Sequence, residues 1–290
     1  MLKRILLLVC IAMVVIISGC IDSTTIIAVK KDGSGLVMET VYMNMAIGEM
    51  MEQMMGGLAD TKEEEGEKTD KSTMPIEIDK YTEKALKMGE GVKFVSAKEV
   101  TNEDGSPGEQ VIYSFEDIRK LRVHSDPESP ASDQMMGMMP AVEESKKESD
   151  PITFDFIEGS SPKLIIQLPE DDKVDPTGDK PEKVSKPSDM DMGQMAFMKQ
   201  FLAGFRVRIM VKIVDGTITR TNASYVEKIK GSQYVTLFDM NMGELLNSEE
   251  HFKKLESMEQ ISDINAARTL LKDMPGFKIE TENRIEIEFR

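Results

Sequence analysis

Apolar and polar residues alternate along several short segments of the chain, and this two-residue period predicts β-strands. In residues 207–213 every second residue is Val or Ile, and near the end of the chain Ile285, Ile287 and Phe289 alternate with charged residues. Alternate side chains of a strand point to the same face, so each segment predicts one buried face. The opposite face of the first segment is partly basic, with Arg206, Arg208, Met210 and Lys212.

Clusters of Gly, Ser, Asp and Pro separate other apolar segments, and this arrangement predicts β-hairpins. One hairpin joins residues 24–30 to 36–42 through the cluster Lys-Asp-Gly-Ser-Gly, and a second joins 152–157 to 164–168. Further strands are predicted around residues 92–95, 111–115 and 234–238.

Helical spacing of apolar residues predicts several amphipathic helices. A short helix covers residues 78–88, and two further helices cover 249–260 and 263–272. Two methionine-rich segments show the same period, and the apolar positions are Ile47, Met50, Met51, Met54, Met55 and Leu58 in the first and Met195, Met198, Leu202 and Phe205 in the second. The mixture of hairpins and helices predicts an α+β fold, with a mainly antiparallel sheet and packed amphipathic helices.

Three segments contain few apolar residues and many Asp, Glu, Lys, Ser and Pro residues, namely 61–73, 124–150 and 170–188. Such segments bury too little apolar surface to offset the entropy lost on ordering, so disordered acidic insertions are predicted there. The remaining chain, residues 20–290, is predicted to form one α+β domain, with two lobes, 20–123 and 151–290, as an alternative.

The first twenty residues contain the parts of a secretory signal in their usual order. Lys3 and Arg4 are followed by an apolar run that is shorter than the roughly 20 residues of a membrane-spanning helix. The residues Ile17-Ser18-Gly19-Cys20 resemble the bacterial lipobox. The resemblance implies a signal peptide of residues 1–19 and a diacylglycerol with acyl chains such as palmitate on Cys20. It also implies a protein anchored outside the cytoplasm, on the cell membrane or the outer membrane.

Cysteine content and charge restrict the chemistry of the chain. Cys10 lies in the predicted signal, so the mature chain retains only Cys20, and neither an internal disulfide nor a cysteine metal site is expected. A net charge of −16 argues against nucleic acid as a partner, and the absence of Trp argues against a stacking platform. The expected partners are therefore the membrane, through the lipid anchor, and another envelope protein.

Methionine is abundant, with 24 residues, and two functions follow from its chemistry. Thioethers bind Cu(I), and the cluster Met135, Met136, Met138 and Met139, which lies in a polar segment, is the candidate copper site. Methionine side chains also adapt to varied apolar partners, so Met50, Met51, Met54 and Met55 are the candidate partner-binding surface.

Catalytic motifs are not evident in the sequence. His124 and His251 are isolated and are interpreted as surface residues, and no cofactor is expected besides the lipid on Cys20. A hydrolase built from scattered carboxylates is an alternative. The pattern of hairpin and helix in the last third of the chain also loosely resembles mycobacterial LppM-type lipoprotein domains. We therefore expect a non-enzymatic, lipid-anchored envelope protein with a structural or protein-interaction role.

Overall fold

A computed structural model describes residues 21–43, 78–124, 150–169, 204–246, 271–272 and 274–290 of the chain. These residues form thirteen β-strands, two α-helices and one short 3-10 helix. The strands are β1 (Ile21–Val29), β2 (Gly35–Met43), β3 (Lys93–Thr101), β4 (Pro107–Phe115), β5 (Arg122–Val123), β6 (Ile152–Ile157), β7 (Lys163–Gln167), β8 (Phe205–Ile213), β9 (Ile218–Thr221), β10 (Val226–Ile229), β11 (Ser232–Asn241), β12 (Phe277–Ile279) and β13 (Arg284–Phe289). The helices are α1 (Ile78–Lys87) and α2 (Met242–Leu246), and the 3-10 helix is Ile118–Lys120.

Eight strands form the larger sheet, in the order β10-β11-β8-β1-β2-β4-β3, with β12 beside β11. All its neighbouring strands are antiparallel except β1 and β8, which run parallel at its centre. In this register Ile21 lies opposite Phe205 on one side and opposite Met43 on the other. The start of β1, the start of β8 and the end of β2 therefore meet at one end of the sheet.

Five strands form the smaller sheet, in the order β5-β6-β7-β13-β9, and the two sheets share one core. Ile27 and Val211 of the larger sheet and Ile166 and Ile287 of the smaller sheet are fully buried members of the same apolar cluster. Burying such a side chain contributes about 1.5–3 kcal/mol relative to leaving it in water. A second, smaller apolar cluster joins α2 to β12, and its buried members are Leu245, Met274, Phe277 and Ile279.

Helix α1 packs on β3 through one apolar face. Tyr81 and Ala85 are buried, and Met88 just after the helix is 5% exposed, at the spacing of one helical stripe. The Tyr81 ring stacks on Phe94, with 5.7 Å between the ring centroids. Polar contacts with the sheet complete this packing, because the Tyr81 hydroxyl donates to Glu109 at 2.5 Å and Lys84 binds Glu39 at 2.9 Å.

Several local predictions are confirmed. Both predicted hairpins are present, as β1–β2 and β6–β7, and the short helix predicted at residues 78–88 is α1. The alternating segments form β8 and β13, and Val207, Ile209, Val211 and Ile213 are buried as predicted. The single-turn 3-10 helix lies in the segment that follows β4.

The predicted fold class is wrong. The described residues form a β-rich, two-sheet structure, with α-helices of only ten and five residues, rather than an α+β fold with packed amphipathic helices. Most of the predicted helical content falls in the methionine-rich segments and in residues 249–272, which lie outside the described residues except for residues 204–205 and 271–272. Phe205, which was assigned to the second methionine-rich helix, instead begins β8.

Segments between the strands contain the other untested predictions. The predicted insertions 61–73 and 170–188 lie outside the described residues, and so does all of 124–150 except its first and last residues. In the described ranges, no helix is both long enough and apolar enough to cross a bilayer.

Candidate functional site

The candidate site residues from the sequence lie outside the described part of the chain. These undescribed residues are Cys20, Met50, Met51, Met54, Met55, Met135, Met136, Met138 and Met139. The described structure therefore brings none of them together. It does describe the residue that follows Cys20, because β1 begins at Ile21.

Ile21 is held in the sheet by its own backbone N–H and by both neighbouring strands. Its side chain is 8% exposed, its backbone N–H donates to the carbonyl of Gly204 at 3.3 Å, and Met43 and Phe205 lie opposite it on the two neighbouring strands. Central strands form ladders on both sides, so Ile21 cannot move independently of the sheet. No spacer residue separates Cys20 from the fold.

A charged cluster lies beside this position, on the face of the larger sheet opposite the core. Strand alternation places Arg206 on that face, and its guanidinium binds Asp239 of β11 with two hydrogen bonds. The Nε atom donates to Oδ1 at 2.9 Å, and Nη2 donates to Oδ2 at 2.8 Å. Asp239 is only 5% exposed, and its hydrogen bonds with Arg206 raise the pKa of the guanidinium. This bidentate geometry is the strong form of an ion pair.

Arg208 reaches β1 from the same face. Its Nη2 atom donates to the Thr24 hydroxyl at 3.1 Å and lies 3.9 Å from Asp22 Oδ1. The Thr24 hydroxyl in turn donates to the same carboxylate oxygen of Asp22 at 3.3 Å. The Nε atom of Arg208 is buried and has no hydrogen-bond acceptor in the described structure. Arg208 is thus held by one hydrogen bond and one long ion pair.

The third cation of this face, Lys212, lies over the ring of Tyr234, with its Nζ atom 5.6 Å from the ring centroid. Such a contact is worth about 0.5–1 kcal/mol at an exposed site. Each cation that the sequence placed on this face therefore has a partner on a neighbouring strand. The partly basic face is charge-compensated, and its two arginines present no excess of positive charge to an anionic surface.

Glu280 is a buried carboxylate that no pattern in the sequence predicts. Its side chain is fully buried, and its Oε1 atom accepts hydrogen bonds from the backbone N–H groups of Ser224 at 2.7 Å and Tyr225 at 3.2 Å. Its Oε2 atom has no partner in the described structure. The carboxylate joins two of the connections that pass between the sheets, from β9 to β10 and from β12 to β13.

A sequence signal did exist for Asp239 and Asp22. Asp is depleted in strands, so an Asp inside an apolar strand marks a residue that needs a partner. Glu280 has no comparable signal, because it follows the three-residue strand β12 in a polar stretch of sequence.

Among the described residues, no group of three or more His, Cys, Asp or Glu side chains is placed to hold a metal ion. Comparisons with protein-family models, with curated proteins and with solved structures found no match.

Proposed function

We propose that the protein is a lipid-anchored envelope protein, outside the cytoplasm, with a structural or protein-interaction role and no enzymatic activity. The lipid is a diacylglycerol with acyl chains on Cys20. The observation that carries the proposal is that β1, which begins at Ile21 directly after the lipobox-like sequence, is a central strand of the larger sheet.

This position suits an anchor for a mechanical reason. Strand β1 pairs with β2 and with β8 along all nine of its residues. A strand paired on both sides can leave the sheet only when two ladders of hydrogen bonds break together. A lipid on Cys20 would thus be attached directly to a strand that is held on both sides. Each buried methylene of the acyl chains contributes about 0.8 kcal/mol to membrane attachment, and more than one chain makes it stable.

The interaction role rests on the first methionine cluster, Met50, Met51, Met54 and Met55. This cluster follows Met43 in the sequence, and Met43 lies opposite Ile21 in the sheet. The segment that contains the cluster thus leaves the described fold beside the anchor point. Methionine-rich surfaces adapt to varied apolar partners, which suits a protein held at a fixed place on a membrane.

Lipidation is tested by growing cells that express the chain with a labelled fatty acid. We expect the label on the full chain, and we expect the variant Cys20→Ser to lose it because no thiol is left to accept the diacylglycerol. Label that persists on Cys20→Ser would contradict the proposed anchor, as would an unlabelled parent chain.

The interaction role is tested by chemical crosslinking in the native envelope. Changing Met50, Met51, Met54 and Met55 together to Gln should remove a specific crosslinked protein. The matched control changes Met135, Met136, Met138 and Met139 to Gln, which is an equal number of methionines in another cluster, and should leave the crosslink in place. Equal loss in both variants, or no specific crosslink in the parent, would contradict the role of the first cluster.

A further inference from the structure

We propose that one end of the larger sheet rests directly on the lipid headgroups of the membrane. This anchor end is defined by Ile21, Met43, Phe205 and Asn241. The inference rests on the proposed function, because it requires acyl chains on Cys20. It adds the identity of the membrane-facing surface and the direction in which the domain stands.

The strand register defines the anchor end. Met43 and Phe205 lie level with Ile21, and Asn241 pairs with Arg206, one residue further from Cys20. Consecutive Cα atoms of a chain are about 3.8 Å apart, so the residue that would carry the lipid directly adjoins Ile21. Because Ile21 is fixed between two strands, the acyl chains must enter the bilayer next to this edge. No residue lies between Cys20 and Ile21 that could act as a spacer and let β1 stand away from the headgroups.

Two described elements flank the anchor point at the same end. The β3–β4 turn, residues 102–106, projects beyond the level of Met43, since Gly108 already pairs with Tyr42. On the other side, α2 begins directly after Asn241. Five strand spacings of about 4.8 Å separate β3 from β11, so these elements lie on a base roughly 24 Å wide. A base on both sides of the anchor holds β1 upright and points the β1–β2 turn away from the membrane.

Electrostatic attraction does not hold the anchor end against the lipid headgroups. The arginines near the anchor end are compensated by Asp239 and Asp22, and the exposed residues Glu103 and Asp104 of the β3–β4 turn are acidic. An anionic bilayer would repel such a surface, whereas a tether acts irrespective of headgroup charge. We therefore expect contact on neutral phosphatidylcholine vesicles, with little dependence on salt.

The absence of Trp from the chain allows a direct test, because a single introduced Trp reports its own surroundings. The full chain, purified with its lipid, is reconstituted into phosphatidylcholine vesicles that contain a quencher at headgroup depth. Met43→Trp places the reporter at the anchor end, and Glu103→Trp places it on the exposed β3–β4 turn, where folding does not depend on the side chain. Lys31→Trp is the matched control, since the β1–β2 turn lies about 27 Å away along nine residues of strand.

We expect strong quenching of the Trp at positions 43 and 103 and no quenching at position 31. Insertion of about twelve Gly and Ser residues between Cys20 and Ile21 should abolish the quenching at both anchor-end positions while vesicle binding persists. Vesicle binding with no quenching at position 103, or with equal quenching at position 31, would overturn the inference and leave the anchor intact. Failure of the parent chain to bind vesicles would overturn both the anchor and the inference.

Discussion

Arg206 donates two hydrogen bonds to Asp239, and the two residues differ sharply in burial. The side chain of Asp239 is 7% exposed, whereas that of Arg206 is 32% exposed. An ion left alone in a buried position costs more than one that water can reach. We expect Arg206→Gln to lower the free energy of unfolding by about 2–3 kcal/mol and Asp239→Asn by about 1 kcal/mol, as measured by urea-induced unfolding.

The control for this pair is Arg284→Gln, which removes an arginine bound to Glu286 on the exposed face of β13. Exposed ion pairs contribute about 0–1 kcal/mol, so this change should have little effect on stability. A loss in Arg284→Gln equal to that in Arg206→Gln would show that burial of the partner carboxylate does not govern the cost.

Glu280 is expected to hold together two connections between the sheets, β9–β10 and β12–β13. Glu280→Ala leaves the N–H groups of Ser224 and Tyr225 without this acceptor, and we expect a loss of about 3 kcal/mol in the free energy of unfolding. Glu280→Gln keeps an oxygen in the same place and should lose less. Hydrogen exchange at Ser224 and Tyr225 measures the local effect, and unchanged exchange in Glu280→Ala would refute the assigned contact.

Gly89 and Gly91 provide a matched pair of backbone positions. Both have a positive φ, of 132° at Gly89 and 83° at Gly91. A Cβ atom added at Gly89 would lie 2.0 Å from the carbonyl oxygen of Lys120, whereas a Cβ atom added at Gly91 would have no atom within 4 Å. We expect Gly91→Ala to cost about 1 kcal/mol and Gly89→Ala about 3 kcal/mol or more, from strain and overpacking together. Thermal unfolding of the two variants tests the difference, and similar melting temperatures would contradict it.

Acid should destabilise the β1–β2 turn. The Ser34 hydroxyl donates to Asp32 at 2.7 Å and the Ser34 N–H at 2.9 Å, and these hydrogen bonds lower the pKa of Asp32 below its ordinary value of 3.8. A lowered folded-state pKa contributes stability that is present above the unfolded-state pKa and is lost as the pH falls through the folded-state value.

The variant Asp32→Asn isolates this effect, because Asn keeps an acceptor oxygen at the same position but does not titrate. Between pH 5 and pH 3, the parent chain should lose more stability than Asp32→Asn, as judged by the urea midpoint. Parallel changes in the two proteins would show that the Ser34 hydrogen bonds to Asp32 do not contribute.

The sequence predicted individual strands better than their arrangement. Alternation identified β8 and β13, because each has an apolar side chain at every second residue. The four-residue strands β9 and β10 were not predicted, since each has only one partly buried apolar residue, Ile218 in β9 and Ile229 in β10. Alternation also reports faces and not neighbours, so the parallel pairing of β1 with β8 could not be derived from it.

For the same reason, the sequence predicted which cations of the charged cluster share a face but not which residues they bind. Alternation placed Arg206, Arg208 and Lys212 on one face, as the structure confirms. The partners of Arg206 and Lys212 depend on the register of β11, which shifts between Thr236 and Phe238. A bulge of one residue moves every later side chain to the other face, and nothing in the sequence around Leu237 indicates where the shift occurs.

The position of β1 also determines when the protein can finish folding. As the exported chain emerges from the membrane, β1 can pair at once with β2, because only a tight turn separates them. Its other neighbour, β8, begins at Phe205, so one edge of β1 stays unpaired until most of the chain has emerged. Contacts between residues so distant in sequence form slowly, and an unpaired strand edge invites aggregation in the meantime. The emerging chain is therefore expected to need a holding chaperone for longer than a domain built from local hairpins.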